Sequence, residues 1–239
     1  MSDAKLLPVI WTLASMVTAV LTTLFFSPPR AAHFRLTLAG RIAEQIGRWV
    51  YFVGVPYAAL LTRSLATVDL GLTGTGGSIL GWSTADWLRG LDLWLTLGLL
   101  VLVTIGSAAR QMARARRPLG VDVRPSGLIV IEAAYTEVHW AFYRAAPLIV
   151  LGDVYWATLI GLALAGVEIV VAIARNGLGT QPEEVQSWIG QTLLLAMSAT
   201  LFILTRNVWL TIGLHIVVEI ALKEMARRVA AVAESAPHG

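Results

Sequence analysis

Long apolar runs separated by short polar or Gly/Pro-rich breaks organise this chain, and the lengths of those runs set the expected elements. Leu6 to Phe26 carries no charged side chain and stops at Ser27-Pro28-Pro29, where a helix cannot readily continue. A helix crossing a bilayer core needs roughly 20 mostly apolar residues, so this run predicts a first membrane span. A cleaved signal peptide is the competing reading, opposed by the length of the run and by Asp3 beside Lys5 in its flank. From Arg30 to Arg48 the pattern turns amphipathic, with Arg35, Arg41 and Arg48 among Leu36, Leu38, Ile42 and Ile46, which predicts a helix lying in the membrane interface. Further spans are expected at about 49–65, 91–109, 128–151, 155–174, 188–204 and 209–222. A Gly/Thr-rich loop at 66–78 separates the second from the third, and Trp82, Trp87 and Trp94 suit an aromatic belt at the start of the third.

Composition carries the same message. Of 239 residues 56% are hydrophobic and 14% charged, with a mean hydropathy of +0.71, more apolar surface than a soluble domain needs. The expected fold class is therefore all-α, a polytopic membrane helical bundle of about seven transmembrane helices, in one transmembrane domain. Within it, 1–44 is the N-terminal span and interfacial helix, 45–222 the core and 223–239 a cytoplasmic tail. The chain has no cysteine, which excludes disulfides, thiolate metal sites and cysteine nucleophiles and leaves any metal to His and carboxylate ligands. The net charge of +3 does not call for nucleic acid as a partner, because basic residues between spans follow from the positive-inside rule. The expected surroundings are membrane lipid. Arg110, Arg114, Arg116 and Arg117 mark a cytoplasmic loop, the 66–81 loop is poor in Lys and Arg, and Lys223, Arg227 and Arg228 follow the last span. Seven crossings of a cell inner (plasma) membrane then leave the N-terminus outside and the C-terminus in the cytoplasm.

Chemistry enters in the second half. Glu132, Glu137, His139, Arg144, Glu168, His215 and Glu219 all fall at or near membrane depth, where a charged group costs several kcal/mol unless it faces a bundle interior and finds a partner. Glu132, Tyr135, His139 and Phe142 share one helical face, while Glu137 and Arg144 lie seven apart on another. Thr211, His215, Glu219 and Lys223 form a continuous i, i+4 stripe on which a His and a Glu can converge on a metal or a metal-bound water. Glu168 sits in Leu162-Ala163-Leu164-Ala165-Gly166-Val167-Glu168 with nothing near in sequence to neutralise it, so its partner must come from another helix. The small residues Ala163, Ala165 and Gly166 suit the close approach that brings one. Structural ion pairing between helices is the alternative to a functional site for the whole set.

The order of these residues resembles the CPBP intramembrane metalloproteases, which include the CAAX prenyl endopeptidases and bacteriocin-processing relatives. Thr205-Arg206-Asn207-Val208-Trp209 leading to His215-Ile216-Val217-Val218-Glu219 is similar to the family's closing motif, an arginine-containing turn, a Trp and a helix ending in His-x-x-x-Asn. His139-Trp140-Ala141-Phe142-Tyr143-Arg144 resembles the family's Glu-Glu-x-x-x-Arg motif, and Glu168 falls roughly where the family has a His. The resemblance covers about 45–222. His139 and Trp140 stand in place of the two glutamates, Glu168 in place of the His and Glu219 in place of the Asn, so only Arg144 and His215 match by type. What it implies is a CPBP-like core with a polar cavity in which His139, Glu168, His215 and Glu219 hold Zn²⁺. Glu137, Glu168 and Arg144 are the candidate catalytic residues, and the substrate or partner is a membrane protein or peptide. Two readings follow from the departures: a rewired endopeptidase, or a catalytically silent member acting as a binding or accessory subunit. A transporter is disfavoured because Pro and Gly do not interrupt paired spans in the two halves.

Overall fold

The computed structural model describes residues 3–25, 37–114, 126–176 and 182–235. The Ser27-Pro28-Pro29 stop, Arg30 and Arg35, the Arg116-Arg117 end of the basic loop and residues 177–181 of the 175–186 loop lie outside those residues. Among the described residues all regular structure is helical. In chain order the helices are α1 (Asp3–Phe25), α2 (Leu38–Trp49), a π-helical segment (Val50–Gly54), α3 (Val55–Leu61), α4 (Thr84–Arg114), α5 (Ser126–Leu151), α6 (Val154–Asn176), α7 (Pro182–Thr205) and α8 (Val208–Ser235). They divide into two units, Met1–Thr75 with Tyr135–Gly179 and Gly76–Ala134 with Thr180–Gly239; α5 begins in the second and ends in the first.

Two helical stretches are long and apolar enough to cross a membrane, Thr84–Ser107 in α4 and Val154–Val171 in α6, with shorter apolar stretches at Lys5–Ala19 and Gly190–Thr205. Only 17% and 28% of the residues in those two stretches are buried, whereas a core helix of a soluble protein hides most of its apolar positions. Leu88, Leu95, Leu99 and Val103 stand exposed along α4.

In the unit that holds the N-terminus, α1 packs on α6, the π segment and α3. The interfacial helix and the second span, expected as separate pieces, form one helical run from Leu38 to Leu61. Leu38, Ile42, Ile46 and Trp49 are exposed along α2, spaced so that they share one face. The π segment has a local cause. Pro56 has no N–H to offer the Phe52 carbonyl and its ring crowds that oxygen; the helix widens instead, and Val55 N–H donates to the Val50 carbonyl five residues back.

In the other unit, α4, α7 and α8 surround a core of Val101, Leu194, Leu201, Leu210, Leu214 and Val218. Helices α4 and α8 run parallel. A Cβ built on Gly90 would lie 2.5 Å from Leu210 Cδ1, one on Gly98 3.4 Å from Leu214 Cδ1 and one on Gly106 3.7 Å from Met225 Sδ, so glycines every eighth residue let the backbones close in. Trp94 packs against Gly213 from the same face, Trp82 is buried edge-on against Trp87, and Trp87 packs with Trp94 on the core, so all three belt tryptophans serve packing. Ser83 and Asp86 cap α4 reciprocally, each accepting the other's N–H (3.1 and 3.0 Å). The helix of the last expected span continues through the expected tail to Ser235. Glu224 bonds Arg228 (3.0 Å) and pairs with Arg227 (3.4 Å) one turn on, and the Arg228 hydrogen bond holds the Glu224 carboxyl below the usual range.

Candidate functional site

Glu168, itself partly buried, is the centre of a polar cluster built entirely within the first unit. Its Oε1 accepts hydrogen bonds from the hydroxyls of both Tyr51, on the π segment, and Tyr143, on α5. The two hydroxyls lie 3.2 Å from each other. His139 Nε2 stands 3.7 Å from the same oxygen. Ser15, fully buried on α1, faces the Tyr143 hydroxyl. The expectation that Glu168 takes its partner from another helix holds: two phenols and an imidazole from two other segments offset the cost of burying a carboxyl group.

Local structure explains each placement. His139 and Tyr143 are one turn apart on α5, so their side chains stack along one face. The widened π segment turns two consecutive residues toward the same imidazole, with ring centroids 4.4 Å (Tyr51) and 5.2 Å (Phe52) from His139. Tyr143 closes a third side at 4.5 Å. His139 is fully buried, and neither of its ring nitrogens makes a hydrogen bond among the described residues. The close approach of α6 to α5 occurs at Gly161, where an added Cβ would lie 2.6 Å from Arg144 Cγ and 3.1 Å from its backbone nitrogen; a Cβ on Gly166 meets nothing within 4 Å. The tightest contact therefore lies at Gly161, two turns before Glu168 and on its face, with the expected Ala165 buried on that same face, whereas Gly166 points another way around the helix.

Glu137 and Arg144 form a second buried pair on α5, at 0% and 3% exposure, and interact electrostatically. Two residues separate Glu137 from His139, enough to turn it to a different face of the helix. Glu132 and Tyr135 are half-buried farther back on the same helix.

His215 and Glu219 belong to the second unit. His215 Nε2 lies 3.5 Å from Glu219 Oε1 at i, i+4 spacing, with His215 buried and Glu219 partly so. The Thr211 hydroxyl donates to the Val208 carbonyl at 2.8 Å, so this member of the stripe is engaged by its own backbone. The turn leading into α8 is tight: Arg206 takes a left-handed φ of 51°, and Asn207, buried, caps α8 by accepting the Trp209 N–H at 2.9 Å.

The expected four-residue set thus falls into two pairs, His139 with Glu168 and His215 with Glu219, each an imidazole beside a carboxylate. Neither unit gathers three His, Asp or Glu side chains at one point among the described residues, whereas a catalytic Zn²⁺ usually takes three protein ligands. Nothing in the sequence singles out Tyr51 and Ser15, because a hydroxyl within an apolar run carries no sign of its partner. Tyr143 was visible only as the aromatic beside Arg144. No family model matches the chain, and no curated protein or solved structure is significantly similar to it.

Proposed function

We propose that this is a polytopic helical membrane protein with a CPBP-like core, in a cell inner (plasma) membrane, serving as a catalytically silent binding or accessory subunit. The membrane reading rests on apolar helices that stay largely unburied, α4 and α6 above all. One observation carries the silent reading: the Glu168 oxygen that faces His139 already accepts two phenolic hydroxyls. A carboxylate that activates water or ligates a metal must leave its oxygen accessible to that group. Here Oε1, the oxygen that faces His139, is taken by donors from the protein, and the cluster ties three helical segments together.

A second reading, a Zn²⁺-dependent endopeptidase of rewired CPBP type, is favoured by one feature. The buried imidazole of His139 makes no hydrogen bond through either nitrogen among the described residues, and His215 with Glu219 supplies the same donor types in the other unit. Neither pair by itself completes a zinc site.

Metal analysis and a cleavage assay with membrane-inserted and prenylated peptides separate the two. The expected outcome is no metal-dependent cleavage by the wild type, and a Tyr51→Phe variant that loses roughly 1.5–3 kcal/mol of stability, the scale of a hydrogen bond to a charged group. Metal-dependent cleavage by the wild type, with about one Zn²⁺ bound and lost in both His139→Ala and His215→Ala, would establish the enzyme reading instead.

A further inference from the structure

An apolar groove runs along α1 where it meets the end of α5 and the first turns of α6. Val9, Leu13 and Met16 form one wall, and Pro147, Val150 and Leu164 stand opposite. The space is about 250 Å³, half open, and presents no polar surface. The one hydroxyl along it, on Thr12, donates to the Pro8 carbonyl at 3.0 Å. From Val9 to Met16 the wall is two turns of helix, or roughly 10 Å, a slot shaped for part of an extended alkyl chain.

A cation, Lys5, stands at the end of this slot. Lys5, exposed and one turn before Val9, donates from Nζ to the Val150 carbonyl at 3.1 Å. That carbonyl is in the last turn of α5, where intrahelical partners run out, so the bond fixes the ammonium beside a groove residue. An ammonium carries three N–H donors, so this bond leaves others for a ligand. Asp3 and Asp153 are the acids near this corner in sequence, and Asp153 is turned to the N–H groups of Tyr155 and Trp156 (2.8 and 3.0 Å). An apolar slot with a fixed ammonium at its mouth matches an amphiphile with an anionic head. We infer that the groove binds an acyl chain of an anionic glycerophospholipid from the surrounding bilayer, with the phosphate at Lys5. The inference rests on the membrane reading above.

The test is native mass spectrometry of the purified full chain after exchange into phosphatidylglycerol or phosphatidylcholine. Phosphatidylglycerol is expected to stay bound, to fall about fivefold in Lys5→Gln, the scale of one basic residue at an anionic surface, and to persist in Lys5→Arg. Leu13→Trp, which fills the slot, and Val9→Phe as an independent filling variant are expected to lose the lipid while keeping helical circular dichroism. Equal retention of both lipids, or Lys5→Gln retaining as much as wild type, overturns the inference. So does a disulfide-linked dimer through Leu13→Cys in this otherwise cysteine-free chain, because a second copy would then occupy the groove. Alkaline carbonate extraction keeps the two readings distinguishable: release of the wild type from membranes sinks the membrane reading itself, whereas an integral protein without lipid preference sinks only the lipid site.

Discussion

Two glycines on α6, Gly161 and Gly166, read alike in the sequence and differ in what a methyl group would meet. At Gly161 it would strike Arg144 through both its side chain and its backbone, and at Gly166 it meets open space. Gly161→Ala is therefore expected to cost about 1–3 kcal/mol, the range for overfilling a packed contact. Gly166→Ala is expected to be neutral or to stabilise by up to about 1 kcal/mol through helix propensity. Unfolding of both variants in mixed micelles measures the contrast, and equal effects would mean the helices do not close at Gly161. Glu168 illustrates the same limit. That a buried carboxyl needs partners from elsewhere follows from solvation alone, but choosing Tyr51, 117 positions away, requires knowing which helices touch.

At the scale of elements, turn chemistry is legible from local sequence to a considerable degree. Ser83-x-x-Asp86, Asp153 and Asn207 are all residue types that accept backbone N–H groups at helix starts, and each does so here. Arg206 is the exception: it holds a left-handed φ that favours glycine. Arg206→Gly is expected to raise stability by up to about 1 kcal/mol, whereas Asn207→Ala loses about 1 kcal/mol with its cap; equilibrium unfolding of the two variants checks the opposite signs. Boundaries were less legible. The merger of the interfacial helix with the second span, through the π segment, follows from how the chain accommodates Pro56, and proline by itself reads equally as a break. The extension of α8 to Ser235 rests on Glu224 pairing one turn along with Arg227 and Arg228, while the sequence reading took those charges only as the flank of a span.

For the whole molecule, charge distribution makes the strongest prediction. By the positive-inside rule, the arginines of 110–117 predict a cytoplasmic loop, on the same side as the residues after the last span. A cysteine placed at Ala115 in this cysteine-free chain is expected to react with impermeant maleimide only after the cells are opened. Labelling in intact cells would invert the topology. Helix type, the apolar surfaces of α4 and α6 and the concentration of ionisable residues in the second half were determined by the sequence itself, because run length, hydropathy and solvation cost are properties of single segments. Only the tertiary structure decided that His139 sits with Glu168 under three aromatic rings and that α6 closes on α5 at Gly161. Those outcomes depend on helix rotation and on the local widening at the π segment, and both are set by which side chains of neighbouring helices fit together rather than by any periodicity along one of them.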